Sequence, residues 1–320
     1  MWLCTEVLLN NMFMFTGKDE PMKKAIDIFP VLLMGGLFVL VDLSAFLVAG
    51  PFEAAGAVAF QNPSDPLNLA FFFITLLITT AIILLIIKLQ KRQALRFIFL
   101  GAITVLIVFV LYPILSIFII DDYLSLGLSV ILAAILLATL VKKPEWYTLD
   151  SIAFFAAAGA IAMIGISLDI WIVIILLIGL AAYDAFSVYI SKHMIDIADS
   201  VIDLKLPIMF VVPKKRDYSL LKETKRLKEK LEDQEEREAY FLGVGDLVFP
   251  GILAVAAFHN LTTNALIMAL SVLAGTLLGF TVLMSYVARG KPQAGLPFLC
   301  SGAILGYIIA GFLVFGFPPI

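Results

Sequence analysis

Unbroken apolar runs separated by short polar breaks recur from Ile28 to Phe317. Each run is about twenty residues, the length of an α-helix that crosses ~30 Å of hydrocarbon at 1.5 Å per residue. The pattern predicts nine spans: Ile28–Gly50, Leu67–Leu89, Phe97–Ile120, Leu124–Val141, Leu149–Ser167, Ile170–Ile190, Tyr240–Phe258, Leu266–Val287 and Pro297–Phe317. A membrane β-barrel would instead show segments of roughly ten residues alternating apolar and polar. The expected fold is therefore an all-α integral membrane protein, a bundle of nine transmembrane helices. Tyr112-Pro113 interrupts the third span, and the short gaps Asp121–Tyr123 and Ser167–Asp169 read either as turns or as kinks.

The breaks divide the chain into an N-terminal segment 1–27, six spans over 28–190, a hydrophilic loop 191–239 and three spans over 240–320. Trp2–Phe15 is apolar but too short to span and has no basic segment before it, so it reads as an interfacial tail and not a signal peptide. Within the loop, Tyr218–Glu238 is rich in Lys and Glu, with Leu220, Leu227 and Leu231 at helical spacing, the pattern of a solvated connector helix. Ile208–Val212, closed by Pro213, has the composition of a strand. It would pair with another segment or tuck onto the bundle.

Composition and charge narrow the picture. Over 320 residues, 62% hydrophobic and 15% charged exclude a soluble domain. A net charge of −3 gives no footing for nucleic acid. Cys4, Cys300, His193 and His259 stand far apart and form no metal-ligand spacing, so neither a metal nor another cofactor is expected. All 22 Lys and Arg fall in the N-terminal segment or in the second, fourth, sixth and eighth loops, counting Lys88, at the edge of the second span, with the second loop. Cationic side chains are retained on the cytoplasmic side, so this alternation supports nine spans and predicts a cytoplasmic N-terminus.

The interiors of the spans contain three aspartates, Asp42, Asp184 and Asp246. Each costs roughly 2.5 to 3.5 kcal/mol at the centre of an inserted helix, so each needs a compensating role. Asp184 lies six residues before Ile190 and Asp246 six residues after Tyr240, both about 9 Å from the cytoplasmic end if helical. Consecutive antiparallel helices are neighbours, so these carboxyls can meet across one interface. Asp42, roughly 21 Å in, stands at another level. A helix-helix hydrogen bond suits it better than an ion or proton pathway. Two carboxyls in a low-dielectric site share a proton. Such a pair can run aspartic proteolysis, the ionised member activating water and the protonated one donating to the carbonyl oxygen. It can equally serve a proton- or ion-coupled carrier or a leak channel.

Local sequence favours proteolysis. Tyr183 precedes Asp184, and Asp246 ends Gly243-Val244-Gly245-Asp246, where the glycines let backbone or an extended substrate approach the carboxyl. At these residues the chain resembles the presenilin and signal peptide peptidase family of intramembrane aspartyl proteases. That family carries Tyr-Asp in the sixth span, Gly-x-Gly-Asp in the seventh and Pro-Ala-Leu at the ninth, the last standing here as Pro297-Phe298-Leu299. The likeness covers nearly the whole chain, and the short loops look most like archaeal homologues. It implies a presenilin-like bundle with Asp184 and Asp246 catalytic. It further implies that Tyr183, Gly243, Gly245, Pro297, Phe298 and Leu299 shape the substrate site, and that single-span membrane proteins in the lipid bilayer are the substrates. Phe298 stands where the family usually has alanine, which bears on how closely the ninth helix approaches the aspartates. The sixth loop is shorter than presenilin's, so self-cleavage there is not carried over. The prepilin peptidases share Gly-x-Gly-Asp, but nine spans and Pro297-Phe298-Leu299 separate this chain from them.

Overall fold

The computed structural model describes residues 28–89, 92–190, 209–214, 239–287 and 294–319. Among them lie nine helices and one two-stranded sheet, in the order α1 (Ile28–Ala54), α2 (Leu67–Lys88), α3 (Arg92–Ser116), α4 (Asp122–Lys142), α5 (Trp146–Gly165), α6 (Ile170–Ile190), β1 (Met209–Pro213), β2 (Ala239–Gly243), α7 (Val244–Asn260), α8 (Ala265–Val287) and α9 (Gly295–Phe315). Seven helices are long and apolar enough to cross a membrane, while the apolar part of α2, Leu67–Ile83, and the whole of α7 are shorter. The outward faces carry Leu47, Phe97, Leu278 and Leu313, all exposed. A helical bundle that is apolar outside as well as inside suits lipid, where each helix satisfies its own backbone groups.

α7 is the centre of the bundle, packed against α1, α5, α6, α8 and α9. Its residues are buried from Asp246 to Ala257 with the exception of Phe249. The tightest contact is between α8 and α9. A Cβ built at Gly302 would lie 2.3 Å from the Gly275 carbonyl oxygen, and one at Gly306 would lie 2.3 Å from that of Ser271. The glycines of Gly275-x-x-x-Gly279 and Gly302-x-x-x-Gly306 thus let two backbones touch, the usual route to close helix association in lipid. Gly302→Ala is expected to destabilise by about 1 to 3 kcal/mol through overpacking. Gly127, with nothing within 4 Å of its Cβ position, provides the control: Gly127→Ala should leave thermal melting in detergent unchanged or slightly raised.

The two ends of the bundle differ. At one end the loop after α1 crosses the α5–α6 turn: Ala59 N–H donates to Ser167 Oγ, Asp169 N–H to the Pro63 carbonyl and Asn260 Nδ2 to the Leu168 carbonyl. At the other, the α4–α5 turn with Lys142 and Lys143 stands beside the β1–β2 pair, with Lys214 directly after β1. There Met209, Val211, Ala239 and Phe241 pack with Leu140, Leu149 and Ile152.

The helices follow the apolar runs, with three informative differences. Asp121 is the N-cap of α4, its side chain accepting from the Tyr123 and Leu124 N–H groups, and Ser167–Asp169 is a turn, so both gaps separate helices. α3 continues past Pro113 to Ser116. The third difference is a correction. Tyr240–Gly243, expected as the start of a helix, is strand, paired antiparallel with β1 in the register Val211↔Phe241. This hairpin is covered on both faces, so its strands are continuously apolar and hydropathy cannot tell them from helix. The strand expected at Ile208–Val212 is found at Met209–Pro213, and it both pairs and packs on the bundle. Trp2–Phe15 and Tyr218–Glu238 lie outside the described residues.

Candidate active site

Asp184 sits six residues from the end of α6 and is 2% exposed. Its Oδ2 accepts from the Leu296 N–H at 3.1 Å, and the Gly295 N–H also donates to the carboxyl. Gly295 and Leu296 are the first two residues of α9, whose N-cap, Ala294, has no side chain to satisfy them. The first N–H groups of a helix lack internal partners and carry partial positive charge, so a carboxyl from a neighbouring helix caps them well. Pro297 follows at the third position, where an N–H is dispensable. α9 thus begins at Gly295, two residues ahead of the span expected from Pro297.

Asp246 stands third in α7, directly after the hairpin, and is 2% exposed. Gly243 ends β2 and is the N-cap, again without a capping side chain. The Asp246 carboxyl reaches back and accepts from the Gly243 N–H, half of a capping box. Its Oδ2 is buried with no hydrogen-bond partner among the described residues. An unpaired buried carboxyl oxygen is costly, and natural proteins retain such atoms chiefly where function requires them. The two carboxyls lie within electrostatic reach of each other, and buried Cys300 lies within reach of both.

The other expected site residues divide. Gly243 is buried and Gly245 half-buried in the turn that carries Asp246, and Tyr183 is half-buried beside Asp184 on α6. Leu299 is buried in the core. Pro297 and Phe298 line a groove of about 700 Å³ between α8 and α9. The Phe298 ring packs 5.5 Å from that of Tyr286, while its carbonyl oxygen approaches Gly279. The bulk of Phe298 is thus accommodated beside α8, and α9 still brings its N-terminus to Asp184.

Three contributors escaped the sequence reading: the Gly295 and Leu296 N–H groups, Cys300, and Asp150. Asp150, in the first turns of α5, accepts from the Val211 N–H at 2.8 Å and so anchors β1. Its position near the end of the fifth span was visible; its partner was not.

A multi-span membrane protein that buries two aspartates together on consecutive helices, at the end bearing its basic turns, has the architecture of a membrane-embedded aspartic protease. The family model for signal-peptide peptidases and presenilin aspartyl proteases matches residues 35–317, and the chain belongs to that family. Among solved structures, a presenilin family intramembrane aspartate protease in space group P2 is 29% identical, with a TM-score of 0.66 over 88% of this chain and 98% of that one. A second, in space group C222, is 27% identical, with a TM-score of 0.64 over 90% and 100% of the two chains. No curated protein matches the sequence. The chain is an integral, multi-pass aspartic endopeptidase of the intramembrane-cleaving kind.

Proposed function

We propose that the enzyme hydrolyses peptide bonds of single-span membrane proteins within the bilayer, using Asp184 and Asp246 as its catalytic pair. The observation that carries this is the juxtaposition of two buried carboxyls, one of them with an oxygen free of any donor among the described residues. One member, ionised, takes a proton from water as it attacks the scissile carbonyl. The other, protonated, donates to the carbonyl oxygen and then helps the amine leave. The N–H groups of Gly295 and Leu296 hold Asp184 in place, and that of Gly243 holds Asp246.

The hairpin supports a particular mode of substrate binding. A helical substrate hides its carbonyls, so it must unwind and find replacement partners in the protein. The outer edge of β1 is taken, because Val211 N–H turns away from β2 to Asp150 and Pro213 has no N–H. Val211 and Phe241 form a non-hydrogen-bonded pair, so Phe241 directs its N–H and C=O outward from β2. An extended substrate adds there, beside the turn leading to Asp246.

We further infer that all nine helices cross the membrane with the N-terminus cytoplasmic, following the basic residues. The pair then lies in the cytoplasmic half, which suits substrates with a cytoplasmic C-terminus. Purified protein in proteoliposomes of measured orientation, given matched single-span substrates of both orientations, tests this. Cleavage of the C-terminus-inside substrate, blocked by a transition-state analogue of aspartic proteases, is the expected result. Equal cleavage of the reversed substrate would refute the orientation. Absence of cleavage with proton flux through the pair would favour a carrier.

A further inference from the structure

Asp42 of α1 is 3% exposed, and no N–H or O–H donor reaches it among the described residues. It is pressed against α7: a Cβ at Gly251 would lie 2.5 Å from Asp42 Oδ1 and 2.8 Å from Ile161 Cδ1. Glycine at 251 is what allows a carboxyl to lie on the α7 backbone. The preceding residue is Pro250, inside the helix. A helical N–H at 250 would bond the carbonyl four residues back, that of Asp246, and proline supplies none. An unsatisfied carbonyl in an apolar bundle is costly, and prolines persist in membrane helices where neighbours re-satisfy the freed groups. A carboxylic acid has an O–H to give.

We propose that Asp42 is a positioning residue for the catalytic helix: its carboxylic O–H gives the α7 backbone beside Pro250 the donor that proline lacks, and so holds the turn carrying Asp246. This rests on Asp246 being catalytic. Pro250 leaves the Asp246 carbonyl without its helical donor, Gly251 admits the Asp42 carboxyl onto the α7 backbone directly after that proline, and α1 is thereby tied to the helix that carries Asp246. An amide also has an N–H to donate, so Asn at 42 can stand in for the acid, whereas Leu cannot.

The test compares Asp42→Asn, Asp42→Leu, Pro250→Ala and Asp42→Leu/Pro250→Ala in proteoliposomes, with kcat, KM and melting temperature measured on one single-span substrate and Asp246→Asn as control. Asp42→Asn should retain kcat within about threefold. Asp42→Leu should lower kcat by about 10- to 100-fold with KM within about twofold, the scale of a small displacement of a reacting group. Alanine at 250 restores the N–H internally, so in that background Asp42→Leu should cost less than about threefold. Equal losses in both backgrounds, an unchanged kcat in Asp42→Leu, a change in KM alone, or Asp42→Asn as damaged as Asp42→Leu would each overturn the proposal. If Asp42→Leu folds only with Pro250→Ala, the coupling is upheld; if it folds in neither background, the proposal fails. Activity in Asp246→Asn would instead overturn the underlying assignment of the pair, so the two failures are distinguishable.

Discussion

Replacing either Asp184 or Asp246 with alanine is expected to reduce cleavage of a single-span substrate below detection, and replacing both to do no further harm. A lone carboxyl can act as base or as acid in the attacking step but not as both, so the pair works as a unit and its losses do not add. The two replacements should nonetheless differ in stability. Asp184→Ala strands the Gly295 and Leu296 N–H groups at the buried N-terminus of α9, and unmade buried hydrogen bonds cost about 1 to 3 kcal/mol. Asp246→Ala strands the Gly243 N–H but also removes an oxygen that has no donor among the described residues, so the two effects oppose. Thermal melting in detergent should therefore drop clearly for Asp184→Ala and stay near the wild type, or above it, for Asp246→Ala. Appreciable turnover by either variant would remove the pair from the mechanism, and a larger drop for Asp246→Ala would contradict the capping account.

The helices were legible because lipid imposes a length on an apolar helix that is to cross it, and that length shows in the sequence whatever the packing. Asp184 and Asp246 were legible because a carboxyl is expensive in an apolar run, so two at one depth demand an explanation. Legibility failed where a group's role depends on a partner far away in the chain. Tyr240–Gly243 reads as helix until Met209–Pro213 is placed beside it, since a strand buried on both faces has no alternation. Asp150 looks like a carboxyl at a helix boundary until Val211 N–H arrives from 61 residues away. The donors to Asp184 are backbone groups, which leave no mark on the sequence except that a proline is tolerated one residue later. Phe298 was expected to bear on the approach of α9. That approach is set by Gly279 and Gly302 on the facing backbones, and the ring packs aside against Tyr286.

Methyl groups placed on successive backbone nitrogens of a synthetic substrate, near the cytoplasmic end of its apolar segment, should inhibit cleavage with a period of two. An extended segment directs alternate N–H groups to opposite edges, so only every second methyl would meet β2. The edge on offer is narrow. The ladder between β1 and β2 occupies the inward groups of Phe210, Val212, Tyr240 and Leu242, Asp150 takes Val211, and Asp246 takes the Gly243 N–H. By this register Phe241 turns both its N–H and its C=O outward, as Ala239 does two residues earlier, and Phe241 is the nearer of the two to the N-cap of α7. A methyl at the substrate nitrogen that donates to the Phe241 carbonyl removes a bond that, deep in the protein, water cannot replace, and adds a clash. Its effect should reach at least tenfold in kcat/KM, since the freed carbonyl alone costs about 1 to 3 kcal/mol. Methyls at the neighbouring positions should change kcat/KM far less, or raise it, because each also weakens the substrate helix that has to unwind. Gly or Pro introduced near the same end should raise cleavage for that reason, provided it avoids the sensitive nitrogen. Inhibition that falls off smoothly with distance from the scissile bond, or that repeats every three to four residues, would show that the substrate is not bound as a strand. A period of two that survives Asp150→Ala unchanged would fit addition at β2, whereas a pattern shifted by that substitution would move the docking edge to β1.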